Sequence, residues 1–244
     1  MTALTIDFHN TLVECDAWFD LEVKTLISSV LTWSDANYGL PRRKVEPARA
    51  DAAYRNLRQA IRHHGHELDA TRSTMLVLER LGIDLPIEIV NEAIEALMRD
   101  VFASATPVPG AQELLRAVHE QGIPIAIVSI AIHHRFLEWA LDQFGMSQFV
   151  QVIVTSASAG FSKSRPEIYW SALSALDRPA SVTTHLGDSL RFDVGGAQMA
   201  GLGAIWFDRQ GLGMNGDTQF RPALIVPSLQ SGRDDIVEHL VSRR

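Results

Sequence analysis

Cysteine is almost missing: Cys15 stands alone, so neither an internal disulfide nor a thiolate metal cage can form, which fits a reducing compartment. No run of about 18 apolar residues occurs to suggest a membrane span. The first ten residues lack the basic patch and apolar stretch of a signal peptide, so the expectation is a cytoplasmic protein without a membrane partner. Positive charge is also in short supply. Lys and Arg number 22 against 29 Asp and Glu, a formal charge of −7, and no overall field draws this chain onto nucleic acid or anionic lipid. Internal repeats and low-complexity tracts are missing as well. What remains is an ordinary globular composition, 46% hydrophobic and 21% charged over 244 residues, which excludes disordered, collagen-like and coiled-coil classes and allows one or two domains with a real core.

The hydropathy pattern divides the chain in two. A short apolar run over residues 3–8, containing Asp7, reads as a buried strand. From 16 to about 103 apolar residues recur at helical spacing, with breaks at Tyr38-Gly39-Leu40-Pro41, at His64-Gly65-His66, and at Gly82 before Pro86. After Pro107-Val108-Pro109-Gly110, amphipathic helices alternate with apolar strands at 123–129, 150–155, 182–186 and 204–207, and with a weaker strand at 224–226 before a last helix. Continuous apolar strands separated by helices imply an α/β fold with a parallel sheet covered on both faces. Residues 1–15 and 104–244 would form this Rossmann-like core, and 16–103 an inserted all-helical domain. In such a sheet ligands bind beyond the carboxyl ends of the strands. Asp7, Ser129, the loop from Thr155 to Lys163, and Asp188 with Asp193 would therefore meet in one crevice.

Four motifs lie on those strand ends: Asp7-Phe8-His9-Asn10-Thr11-Leu12; Ser129 after Ile125 to Val128; Lys163-Ser164-Arg165-Pro166-Glu167-Ile168-Tyr169; and Leu186-Gly187-Asp188-Ser189-Leu190-Arg191-Phe192-Asp193. Their order resembles that of the haloacid dehalogenase-like (HAD) superfamily, most of whose members are Mg²⁺-dependent phosphohydrolases with an aspartate nucleophile. The helical insert falls where that family carries a cap. The resemblance implies that Asp7 attacks phosphorus, that Asp7, Asp188 and the backbone carbonyl of His9 hold Mg²⁺, and that Ser129 and Lys163 bind the phosphoryl oxygens. Thr11 and Asp193 would stand behind these groups, Asp193 as a partner of Lys163 or of metal-bound water. The implied partner is a small phosphorylated metabolite, acted on by a monomer or homodimer.

One residue departs from the pattern. Where phosphatases of the family carry a second Asp two residues after the nucleophile, this chain has His9. Imidazole can protonate a leaving group and activate water, but a nearby cation lowers its pKa, so the expectation is slow or acid-shifted turnover. Two alternatives stay open. One is a metal-independent 2-haloacid dehalogenase, a class that also lacks the second Asp. The other is a catalytically weak binding or regulatory protein on the same scaffold. Asn10, where the family often has Gly, is a residue that tolerates left-handed backbone.

Several other features read as structural. Gly211-Leu212-Gly213-Met214-Asn215-Gly216 matches a dinucleotide fingerprint but lacks a following helix, so it reads as a loop. His63, His64 and His66 read first as a solvated turn and only second as a metal site. His133 and His134 read as an exposed helix start, and Cys15 as a buried thiol. Trp18 and Phe19 read as packing residues of the first helix of the insert, with substrate contact the lesser reading.

Overall fold

The computed structural model describes residues 2–39, 45–214 and 219–243. Its centre is a six-stranded sheet, β1 (Ala3–Ile6), β4 (Ile125–Ser129), β5 (Val152–Thr155), β6 (Thr183–Gly187), β7 (Gly203–Phe207) and β8 (Leu224–Val226), in the order β5-β4-β1-β6-β7-β8. Every pairing is parallel. The alternation along each strand explains the layers. Leu4, Ile6, Ile125, Ile127 and Ile205 face one core, while Ala3, Ala126, Val128, Ala204 and Trp206 face another. On the first face lie α6 (Ala111–Glu120), α7 (His134–Gln143) and α11 (Arg233–Ser242). On the second lie the short α8 (Ser156–Ala159), α9 (Glu167–Leu176) and α10 (Gly196–Met199).

The chain leaves β1 through a turn in which Asn10 adopts φ of 62°, the left-handed conformation its short polar side chain tolerates. A two-stranded antiparallel ribbon that sequence periodicity is too short to reveal, β2 (Val13–Glu14) with β3 (Thr106–Pro107), then marks the exit and return of the helical insert. The insert holds α1 (Asp16–Asp20), α2 (Leu26–Tyr38), α3 (Pro47–His64), α4 (Ala70–Leu81) and α5 (Ile87–Phe102). Helix α4 starts where Asp69 accepts the Arg72 amide at 2.7 Å, and it ends at Gly82 with φ of 68°. Leu40 and Pro41 of the expected break after Tyr38 lie outside the described residues, but α2 does end at Gly39 in left-handed conformation. Trp18 joins the insert to the sheet, stacking on Phe136 at 4.6 Å and meeting Phe8 edge-on at 5.9 Å. Phe8, Trp18, Val30, Tyr54 and Val90 therefore belong to one continuous apolar cluster.

Among the described residues two segments are wound as π-helix: Leu21–Thr25 between α1 and α2, and Leu190–Gly195 before α10. Such widened turns shift the side-chain register and are frequent at functional sites. No described helix is long and apolar enough to cross a membrane.

Candidate active site

The carboxyl ends of β1, β4 and β6 open into a cavity of about 280 Å³, closed from the other side by α1, the first π-helical turn and α3. Asp7, His9, Ser129, Lys163, Asp188 and Asp193 all line it. Thr11 stands behind them, its hydroxyl donating to Asp7 Oδ2 at 3.2 Å.

Lys163 is the electrostatic centre. It sits on the loop before α9, its side chain almost fully buried, and its ammonium donates to Asp7 Oδ1 and to Asp193 Oδ1, the latter at 2.6 Å. Oxygens of Asp7, Asp188 and Asp193 all lie within 4.8 Å of one another. One ammonium facing three carboxylates leaves a surplus of negative charge, and the acids respond to it. Burial pushes Asp7 up to about 7, Lys163 opposes it, and repulsion from Asp193 and Asp188 adds to the rise. Burial likewise pushes Asp188 up to about 6, with Asp193 contributing. Asp193 goes the other way: burial alone would raise it, but Lys163 and His185 hold it well below the usual carboxylate range. A set of hard oxygen donors with more negative charge than its lysine can neutralise suits a divalent cation such as Mg²⁺.

Asp193 is fixed by the second π-helical turn, where its Oδ2 accepts the Ser189 amide at 2.8 Å. It folds back so closely over β6 that a Cβ on Gly187 would stand 2.3 Å from its Cγ, so only glycine fits there. Beneath it, His185 Nε2 lies 3.2 Å from Asp193 Oδ1, and its Nδ1 lies 2.9 Å from the Thr5 hydroxyl. A histidine in a fully buried strand, Thr183-Thr184-His185-Leu186-Gly187, was the available signal for this support, and periodicity passes over it. Ser129 Oγ is buried without a hydrogen-bond partner and borders the cavity. It does not cap α7, whose first flanking residue is His133.

His9 is enclosed by aromatic rings. Its imidazole stacks on Phe19 at 5.6 Å with planes 3° apart, and meets Trp18 edge-on at 5.3 Å. Burial lowers its pKa, partly offset by Asp16, and its Nε2 has no partner. Trp18 and Phe19 also line the cavity, so packing and contact with the site are one role here.

Other sequence candidates lie elsewhere. His63 and His64 close α3 and His66 follows its Gly65 cap, all three exposed as a solvated helix end, and His66 pairs with Phe161 across an isolated bridge. None of the three lines the cavity. His133 is not an exposed helix start: it is mostly buried and lies 3.3 Å from Glu95. His134 Nδ1 lies 3.2 Å from the Thr155 hydroxyl. Cys15 is buried, with Sγ 3.4 Å from the Val101 carbonyl. Residues 211–214 form no helix, and Asn215 and Gly216 lie outside the described residues. What sequence reasoning missed altogether is the opposite wall, where Glu22, Arg58 and Glu67 are buried and border the same cavity.

The family described as haloacid dehalogenase-like hydrolase matches residues 1–201, and the chain belongs to it; it is a hydrolase. Among named proteins, it is 26% identical over 209 residues to the glyceraldehyde 3-phosphate phosphatase of Pyrococcus abyssi, covering 82% of this chain and 79% of that one. It is also 26% identical to the phosphoglycolate phosphatase of Pseudomonas fluorescens, covering 77% of this chain and 66% of that one. The solved 2-haloacid dehalogenase of Pseudomonas syringae pv. Tomato superposes with a TM-score of 0.72 over 100% of this chain and 99% of its own, at 20% identity, a likeness of fold.

Proposed function

We propose that the protein is a Mg²⁺-dependent phosphomonoester hydrolase for a small phosphorylated metabolite, working through an aspartyl-phosphate on Asp7. The observation that carries this reading is the crowding of Asp7, Asp188 and Asp193 within 4.8 Å around the single ammonium of Lys163. Displacing halide from carbon needs only one carboxylate. Three of them, two with raised pKa values, suit a site built for a cation and an incoming phosphate. The curated phosphatase relatives support the same choice.

Asp7, held by Thr11 and Lys163, is the nucleophile that attacks phosphorus. Lys163 and the unpartnered Ser129 hydroxyl receive the phosphoryl oxygens and hold them as charge moves toward the leaving group. Mg²⁺ held by Asp7, Asp188 and the His9 carbonyl would supply charge neutralisation for the phosphoryl oxygens. His9 passes a proton to the leaving oxygen and later takes one from water. The residues 16–103 act as a cap that shields this chemistry from solvent. Contacts tie its α3–α4 turn to the lysine loop: the Ser162 amide donates to the Gly65 carbonyl, and the Glu67 amide to the Gly160 carbonyl, both at 2.9 Å.

A catalytically weak binding protein is the second reading, favoured by the enclosure of His9 between Trp18 and Phe19, which suits a neutral imidazole. Phosphate release from phenyl phosphate with and without Mg²⁺, using Asp7→Asn as the blank, separates the two. We expect release that needs Mg²⁺ and vanishes in the blank. We also expect Mg²⁺ to raise the melting temperature of the parent but not of Asp188→Asn. Binding of Mg²⁺ without turnover supports the second reading, and halide release from a 2-haloacid without metal overturns both.

A further inference from the structure

The wall facing the carboxylate–lysine centre carries its own polar apparatus, which the reaction as derived does not use. Glu22 lies on the first π-helical turn, 6% exposed, and borders the cavity. Its Oε1 accepts the amide of Ile132 at 3.1 Å, so this carboxyl reaches from the helical insert to the loop that follows Ser129. No described cation forms a salt bridge with it. Arg58 is nearby but committed: it grips both oxygens of Glu67, at 2.5 and 3.1 Å. Glu67 in turn accepts the Leu68 amide at 2.9 Å and the Ser156 hydroxyl at 3.1 Å. The buried pair is thus neutral as a unit and internally satisfied. Burial pushes Glu22 up to about 8, against the pull of Arg58, so at neutral pH it is mainly a neutral acid. With Oε1 receiving an N–H, the carboxyl has a proton to offer to a further oxygen.

The charges of the cavity wall settle which oxygen suits it. Five acidic side chains, Glu22 among them, and three cations line the space. Of the cations, Lys163 faces the reaction end, Arg58 is bound to Glu67, and Arg62 is exposed at the rim, where water and salt screen it. A second anion on the substrate would be buried against this neutral wall with no uncommitted buried cation to compensate its charge.

Resting on the phosphatase reading above, we infer that Glu22, backed by the Arg58–Glu67 pair, determines substrate specificity by binding a hydroxyl or carbonyl oxygen of a small, uncharged leaving group. The substrate class is then a phosphate ester of a short polyol, hydroxyaldehyde or hydroxyketone, and not of a hydroxy acid or a second phosphate. A site that hydrogen-bonds one substrate oxygen discriminates against analogues lacking it, because its own polar group is otherwise left unpaired.

Three esters test this on the full chain with Mg²⁺: glycerol 3-phosphate, phosphoglycolate and phenyl phosphate. The parent should favour glycerol 3-phosphate over phosphoglycolate by about tenfold or more in kcat/KM. Glu22→Leu should cost about tenfold on glycerol 3-phosphate and leave phenyl phosphate within about threefold. Glu22→Gln keeps an acceptor for Ile132 and a donor toward the cavity, and should retain most of the parental preference. Equal loss on both esters in Glu22→Leu, no loss on either, or a parental preference for phosphoglycolate overturns the assignment. If the parent hydrolyses none of the three, phenyl phosphate included, the phosphatase reading falls and takes this inference with it.

Discussion

Lys163 and Asp193 form a buried ion pair, Nζ to Oδ1 at 2.6 Å with both side chains about 2% exposed, and the same ammonium is shared with Asp7. Replacing the lysine leaves buried carboxylates facing one another. Lys163→Met should therefore abolish phosphate release and also destabilise the fold by about 3–5 kcal/mol in urea titration. The double variant Lys163→Met/Asp193→Asn should regain part of that loss. An unchanged urea midpoint in the single variant would show that the pair contributes nothing.

His9 predicts a pH profile. Burial places its folded-state pKa below the ordinary 6.5, so imidazolium, the better proton donor, exists only on the acid side and is lost as pH rises. With phenyl phosphate, kcat should fall on the alkaline side as the imidazolium is lost, the need for ionised Asp7 setting the acid side, and His9→Ala should lower kcat by about 10² and remove the alkaline limb. Phe19→Ala, which strips the stacked ring from one face of the imidazole, should move the limb to higher pH. A parent and His9→Ala profile of the same shape would remove His9 from proton transfer.

Glu22 predicts a stability profile. Its folded-state pKa of about 8 lies above the ordinary glutamate value of 4.5, so the native state holds this proton more tightly than the unfolded chain. The stabilisation is fully present below about 4.5 and is lost as pH rises toward and through 8. Melting temperature should therefore fall more steeply between pH 5 and 9 (roughly the window in which the two states differ) for the parent than for Glu22→Gln. Parallel curves would show that the carboxyl is ionised in the folded protein.

The sheet was legible because most of its strands are short, largely apolar runs bounded by breakers, and parallel strands bring their carboxyl ends to one side whatever the intervening lengths. That alone places Asp7, Ser129, Lys163, Asp188 and Asp193 on one cavity. Glu22, Arg58 and Glu67 escaped for the opposite reason. They come from different helices and a turn, and helical periodicity says which face is buried without saying which neighbour it meets. The π-helical turns at Leu21–Thr25 and Leu190–Gly195, which carry Glu22 and Asp193, add to this, since a widened turn departs from the regular helical period. His185 was hidden inside a strand pattern that registers only apolar content.

Val13 faces Pro107 and Glu14 faces Thr106 in the small antiparallel ribbon, so the polypeptide departs from the sheet and comes back at neighbouring points. Whatever lies between those points can lengthen, shorten or be exchanged without any strand of the sheet having to change its neighbour. The ribbon makes the helical segment exchangeable in its connectivity, so the wall that carries Glu22, Arg58 and Glu67 can vary while the strands that lead to Asp7, Ser129 and Asp188 keep their order.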